Sequence, residues 1–136
     1  MKENLVILGS TGSIGLNTLE VIEMHQDKFN VFAISANSSV EVLISQCEKF
    51  NPSYVHITKE ADAKKIKLAI EKLDLQTKII FGKSELNSIV SHESVDTVVC
   101  AISGSAGLES SLNAVKSGKK ILLANKESLV MCGKLF

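Results

Sequence analysis

Apolar residues fall along this chain in two alternating spacings. Short, nearly continuous apolar runs stand at 5–8, 30–35, 54–57, 77–81, 95–102 and 121–123, and each predicts a strand. Between them, apolar positions recur every three or four residues, which predicts helices over 14–25, 40–50, 60–73, 83–90 and 108–117. Ile14, Leu19, Val21 and Ile22 mark the first helix, and Val40, Leu43, Ile44 and Cys47 the second, which Pro52 stops. Ala63, Ile66, Ala69, Ile70 and Leu73 line one side of the third, with lysines on the other. The pattern predicts a further helix from about Ser128 to Phe136.

Strands that alternate with helices imply an α/β fold: a Rossmann-like, doubly wound parallel sheet with helices on both faces and right-handed crossovers. The run Val95-Asp96-Thr97-Val98-Val99-Cys100-Ala101-Ile102 has the near-continuous apolarity of a strand buried on both faces. In such sheets ligands bind beyond the carboxyl ends of the strands, at the switch point. Four loops leave those ends here, over 9–15, 36–39, 103–107 and 124–127, and all are rich in small or polar residues.

Composition narrows the function. With 136 residues, 45% of them apolar, the chain is one globular domain with a sizeable core. Fifteen basic residues balance fifteen acidic ones, so there is no electrostatic case for nucleic acid or an anionic membrane surface. Cys47, Cys100 and Cys132 form no CxxC and read as free thiols; His25, His56 and His92 are scattered, so no metal site is expected within 1–136. No run approaches the ~18 apolar residues of a membrane span, and the opening strand and glycine turn do not resemble a signal peptide, so a cytoplasmic location is expected.

The chemistry concentrates first at Gly9-Ser10-Thr11-Gly12-Ser13-Ile14-Gly15. A strand, a glycine turn and a helix start in that order form a nucleotide-binding context. Gly9 would let the chain turn off the strand, Gly12 would let a pyrophosphate approach the backbone, and Gly15 would let the helix lie close to the strand. Thr11 and Ser13 add hydroxyls beside the unpaired N–H groups of a helix start, where an anion is favoured. The spacing is GxxGxxG, not the commoner GxGxxG, and the same residues would also serve a tight turn that binds nothing.

The second strand ends at Ser35-Ala36-Asn37-Ser38-Ser39. An NAD domain usually places a carboxylate there for the ribose 2′-hydroxyl, and such a group would repel a 2′-phosphate. Its absence favours NADP, although no Lys or Arg stands in the stretch to clamp a phosphate. These residues would equally cap the next helix. At the last strand, Ala124-Asn125-Lys126-Glu127 would either cap a helix with a solvated ion pair or bring Lys126 to an anionic substrate and Asn125 and Glu127 to a cofactor.

Three motifs carry a family resemblance: GSTGSIG at 9–15, AIxGxAGL at 101–108 and LLANKESLV at 122–130. Together they resemble the 1-deoxy-D-xylulose-5-phosphate reductoisomerase family, in order along the chain. The resemblance implies an NADPH-dependent enzyme of non-mevalonate isoprenoid biosynthesis. It rearranges the carbon skeleton of 1-deoxy-D-xylulose 5-phosphate, then reduces the aldehyde intermediate to 2-C-methyl-D-erythritol 4-phosphate with magnesium or manganese on the substrate oxygens. By matching position, Thr11, Gly12, Ser13 and Ile14 would hold the pyrophosphate, Asn125 and Glu127 the nicotinamide side, and Lys126 the phosphorylated sugar. Asn37, Ser38 and Ser39 fall where the family commonly has Gly-Lys-Asn or Gly-Arg-Asn, whose basic residue helps hold the 2′-phosphate. Residues 1–136 would be the N-terminal NADP-binding domain of a longer, homodimeric enzyme, inactive alone, with no catalytic residue or metal ligand of its own. The alternatives are an NADP-dependent reductase of the aspartate-semialdehyde dehydrogenase type and a non-catalytic NADP sensor.

Overall fold

A computed structural model of the chain describes residues 2–101 and 105–123. The order of elements is β1 Glu3–Leu8, α1 Ser13–Met24, β2 Phe29–Ala36, α2 Val40–Phe50, β3 Tyr54–Ile57, α3 Glu60–Lys72, β4 Lys78–Phe81, α4 Lys83–Val90, β5 Thr97–Cys100, α5 Ser105–Lys116 and β6 Lys120–Leu123. Among the described residues the strands form one sheet in the order β4-β3-β2-β1-β5-β6, and every neighbouring pair is parallel. The chain steps outward from β1 to β4, then returns across the sheet to lay β5 beside β1. The switch point therefore lies between β1 and β5.

Helix placement follows from that path. Moving outward, right-handed crossovers put α1, α2 and α3 on one face; reversing direction puts α4 and α5 on the other. Alternation along each strand feeds both layers. Leu5 and Ile7 of β1 join Leu19, Leu43 and Ile66 on the first face, while Val6 and Leu8 join Val90 and Ala114 on the second. β2 breaks the alternation, because the register against β1 shifts between Leu5 and Val6. Phe32 is the extra residue of this bulge, and it and Ala33 both face the second layer.

Several elements depart from the hydrophobic pattern. The apolar run at 95–102 is a strand only over Thr97–Cys100. Val95 is buried, but it sits in a turn whose N–H bonds to the His92 carbonyl, so its apolarity reports burial and not pairing. α5 begins at Ser105, which makes 105–107 helical instead of loop; small residues fit a first turn as readily as a loop. In α1 the inward residues are Gly15, Leu19 and Ile22, spaced i, i+4, i+7, while Ile14 and Val21 are exposed. Leu73 caps α3 and is exposed, and Thr77 precedes β4, its hydroxyl donating to the Pro52 carbonyl. Residues 102–104, the loop at 124–127, Cys132 and the helix expected over 128–136 lie outside the described residues.

Candidate functional site

The carboxyl ends of β1, β2, β3, β4 and β5 open into one cleft of about 880 Å³. That is ample for a cofactor-sized ligand. Gly9, Thr11 and Gly12 line it after β1; Ser35, Ala36, Asn37 and Ser38 at the end of β2; His56 and Thr58 at β3; Gly82 and Lys83 after β4. Ala101 closes β5, while Leu86 of α4 and Glu109 and Ser110 of α5 complete the wall.

The glycine turn is held by its own backbone. Gly9 has φ +82°, a left-handed conformation that suits glycine. The Gly9 and Ser10 N–H groups both donate to the Ser35 carbonyl, at 2.8 and 3.0 Å, which anchors the turn to β2. Gly12 is the N-cap of α1, with extended backbone and no side chain to satisfy the first-turn N–H groups. A Cβ built on it would meet nothing nearer than the Gly9 oxygen, 3.7 Å away. Gly15 is the opposite case. Its Cβ would lie 2.2 Å from the Gly9 oxygen and 2.7 Å from the Ser10 Cα. The close approach expected of this glycine is thus to the turn backbone rather than to the strand.

Ser10 turns away from the cleft. Its buried hydroxyl donates to Gln46 Oε1 at 2.7 Å, and Gln46 Nε2 donates back to the Ser10 carbonyl at 2.9 Å. This reciprocal pair fastens the turn to α2. A second network crosses the strand ends. His56 Nε2 lies 2.7 Å from the Gly82 carbonyl, and Nδ1 lies 2.8 Å from Ser35 Oγ. A carbonyl only accepts, so Nε2 carries the proton; in the neutral ring Nδ1 then accepts from the Ser35 hydroxyl. Burial pushes the His56 pKa down, against opposing effects of the Gly82 bond and Glu85. The ring is a neutral strut between β2, β3 and the β4–α4 junction. Lys83 Nζ pairs with the Glu109 carboxylate, which joins the start of α4 to α5, and both residues line the cleft.

The sequence model described as 1-deoxy-D-xylulose 5-phosphate reductoisomerase matches residues 5–133. The chain belongs to the 1-deoxy-D-xylulose 5-phosphate reductoisomerase family. A relative of that name from Saccharophagus degradans is 50% identical over 134 residues, which is 98% of this chain and 34% of the relative. A crystal structure of a DOX-P reductoisomerase with magnesium superposes with TM-score 0.91 at 41% identity, covering 99% of this chain and 34% of that one. Another, with NADPH, fosmidomycin and magnesium, gives TM-score 0.90 at 42% identity, covering 98% and 32%. The chain thus spans about a third of the length of the reductoisomerases it matches.

Of the residues expected to form the site, the fold brings Thr11, Gly12, Asn37 and Ser38 into the cleft. Ser13 and Ile14 occupy the first turn of α1 with exposed side chains, and Ser39 is exposed and outside the lining. Ser39 stands at the N-cap of α2, in the left-handed region at φ +68°, and its hydroxyl makes no capping bond. Asn125, Lys126 and Glu127 lie outside the described residues. Gln46, His56, Gly82 and Lys83 carry no motif that marks them as site residues in the sequence, and Ser35 stood there only as the end of the second strand. A polar His56 inside a short apolar strand was the one available signal; nothing in the spacing joins Ser10 to Gln46. Among the described residues, no group of three or more His, Cys, Asp or Glu side chains could hold a metal ion, and no helix is long and apolar enough to cross a membrane.

Proposed function

We propose that this chain is the N-terminal NADPH-binding domain of an enzyme that converts 1-deoxy-D-xylulose 5-phosphate to 2-C-methyl-D-erythritol 4-phosphate. The observation that carries the reading is the cleft at the switch point, which opens onto the start of α1 at Gly12. Family membership and the similar reductoisomerase solved with NADPH, fosmidomycin and magnesium support it.

The residues fit a dinucleotide. The open space at Gly12 leaves the backbone free for a pyrophosphate, and the first-turn N–H groups of α1 offer it donors at the positive end of the helix dipole. In this proposal Thr11, Gly12, Ser13 and Ile14 hold the pyrophosphate, the last two through backbone N–H groups, since neither residue is part of the cleft lining. Asn37 and Ser38 face the ribose, with Ser39 beside them at the start of α2. Asn125 and Glu127 meet the nicotinamide side, and Lys126 meets the anionic sugar. NADPH, when bound, supplies the hydride. The domain contributes position: a geometry set in advance by the anchored turn and the His56 strut. Magnesium or manganese, a homodimeric assembly and a cytoplasmic setting belong to the same proposal, with the metal ligands outside this chain.

Calorimetric titration of the full-length protein with NADPH and with NADH tests the reading. Tighter NADPH binding, together with NADPH oxidation on adding substrate and metal, is the expected result. Failure to bind either nucleotide would overturn it.

A further inference from the structure

The end of β2 presents a difficulty. Asn37 and Ser38 reach the cleft, yet neither they nor Ser39 carries a positive charge. A 2′-phosphate bears about two negative charges near neutral pH and is normally met by a cation. Among the described residues, one Lys or Arg lines the cleft, and it is Lys83. It comes from the other side of the sheet end. β4 pairs with β3, and β3 pairs with β2, so the β4–α4 junction opens at the same edge as the β2–α2 loop. The His56 strut ties the two together, from Ser35 of β2 through the ring to the Gly82 carbonyl. Gly82, at φ +89°, turns the chain so that Lys83 opens α4 into the cleft shared with Asn37, Ser38 and Thr58.

We infer that Lys83 is the specificity-determining cation for the cofactor's 2′-phosphate in this protein, in place of a basic residue after β2. The inference rests on the NADPH reading above. Lys83 is available for the part. Its side chain is 73% exposed and its partner Glu109 45%, so their ion pair is solvated and weak. The long, flexible stem lets the ammonium move from a carboxylate to a phosphate. His56 is held neutral and contributes no charge, which leaves Lys83 and Glu109 as the charged side chains of the described lining.

The test is calorimetric titration of the full-length protein and its variants with NADPH and NADH at one fixed, low salt concentration. Lys83→Gln should weaken NADPH at least about fivefold and leave NADH unchanged, because the lost contact is a charge-assisted one to a group that NADH lacks. Lys83→Arg should retain the preference, and Glu109→Gln, which releases the lysine, should tighten NADPH. Equal losses for both nucleotides with Lys83→Gln, or no loss for either, would overturn the assignment while leaving the cofactor reading intact. If the unsubstituted protein bound neither nucleotide, the cofactor reading would fall first and the assignment with it.

Discussion

Gly15 sits so tightly on Gly9 that a single added carbon would come within 2.2 Å of the Gly9 carbonyl oxygen. The first turn of α1 is therefore packed on the glycine turn, backbone against backbone. Gly15→Ala must push the helix away, and overpacking of this kind costs about 1–3 kcal/mol or more. Gly12→Ala should cost less than about 1 kcal/mol, because φ is ordinary, the space is open and only the N-cap preference changes. Urea unfolding of the two variants measures the difference. Equal destabilisation would mean that the turn and the helix are not in register as described. Gly12→Val should stay folded and lose NADPH binding; unchanged binding would move the phosphate elsewhere.

The Ser10–Gln46 pair joins residues 36 positions apart through two buried hydrogen bonds. Gln46→Met leaves the Ser10 hydroxyl and carbonyl without these partners in a buried setting, at a cost of about 1–3 kcal/mol. A double-mutant cycle with Ser10→Ala isolates the pair. The two effects should be coupled, the double variant being less unstable than the sum. Strict additivity would dissolve the link between the glycine turn and α2.

His56 makes stability depend on pH. Burial lowers its folded pKa below the unfolded value of about 6.5, so the unfolded state binds the proton more readily. The stabilisation is complete above pH 6.5 and is lost as pH falls from there through the folded pKa. Chemical denaturation between pH 5 and 8 should show stability rising with pH in the native protein. His56→Gln should lack that part of the slope and be less stable at pH 8 by about 1–3 kcal/mol. Identical slopes in both proteins would show that His56 does not carry the effect.

Cys47 is wholly buried on α2, and burial pushes its thiol pKa up to about 12. The thiolate is the reactive form. Iodoacetamide at pH 8 should leave Cys47 unmodified in the folded protein and label it in urea, as peptide mapping by mass spectrometry would read. Rapid labelling without denaturant would contradict the packing of α2 on the sheet.

Most of the architecture was legible in the order of residues. A continuous run such as Leu5-Val6-Ile7-Leu8 suits a strand covered by helices on both faces, and the three- and four-residue spacing of Val40, Leu43 and Cys47 suits a helix face. Gly9 marked a turn because it adopts positive φ, a constraint written locally in the backbone. Boundaries were less legible where apolarity and pairing part company, as at Val95, and where a helix is apolar on its exposed side, as at Ile14 and Val21 of α1.

The sequence by itself determined the alternation of strands and helices, the glycine turn, the family and the missing carboxylate after β2. Tertiary structure alone decided which loops share a cleft, that Ser10 faces α2 and not a ligand, and that His56 bridges β2 to β4. It also carried Lys83 into the cleft with Ser38, from 45 positions away. The reason is physical. Spacing along a chain records which residues share one helix or strand face, whereas these contacts are made by strand order and crossover direction, which bring together ends that no local pattern connects.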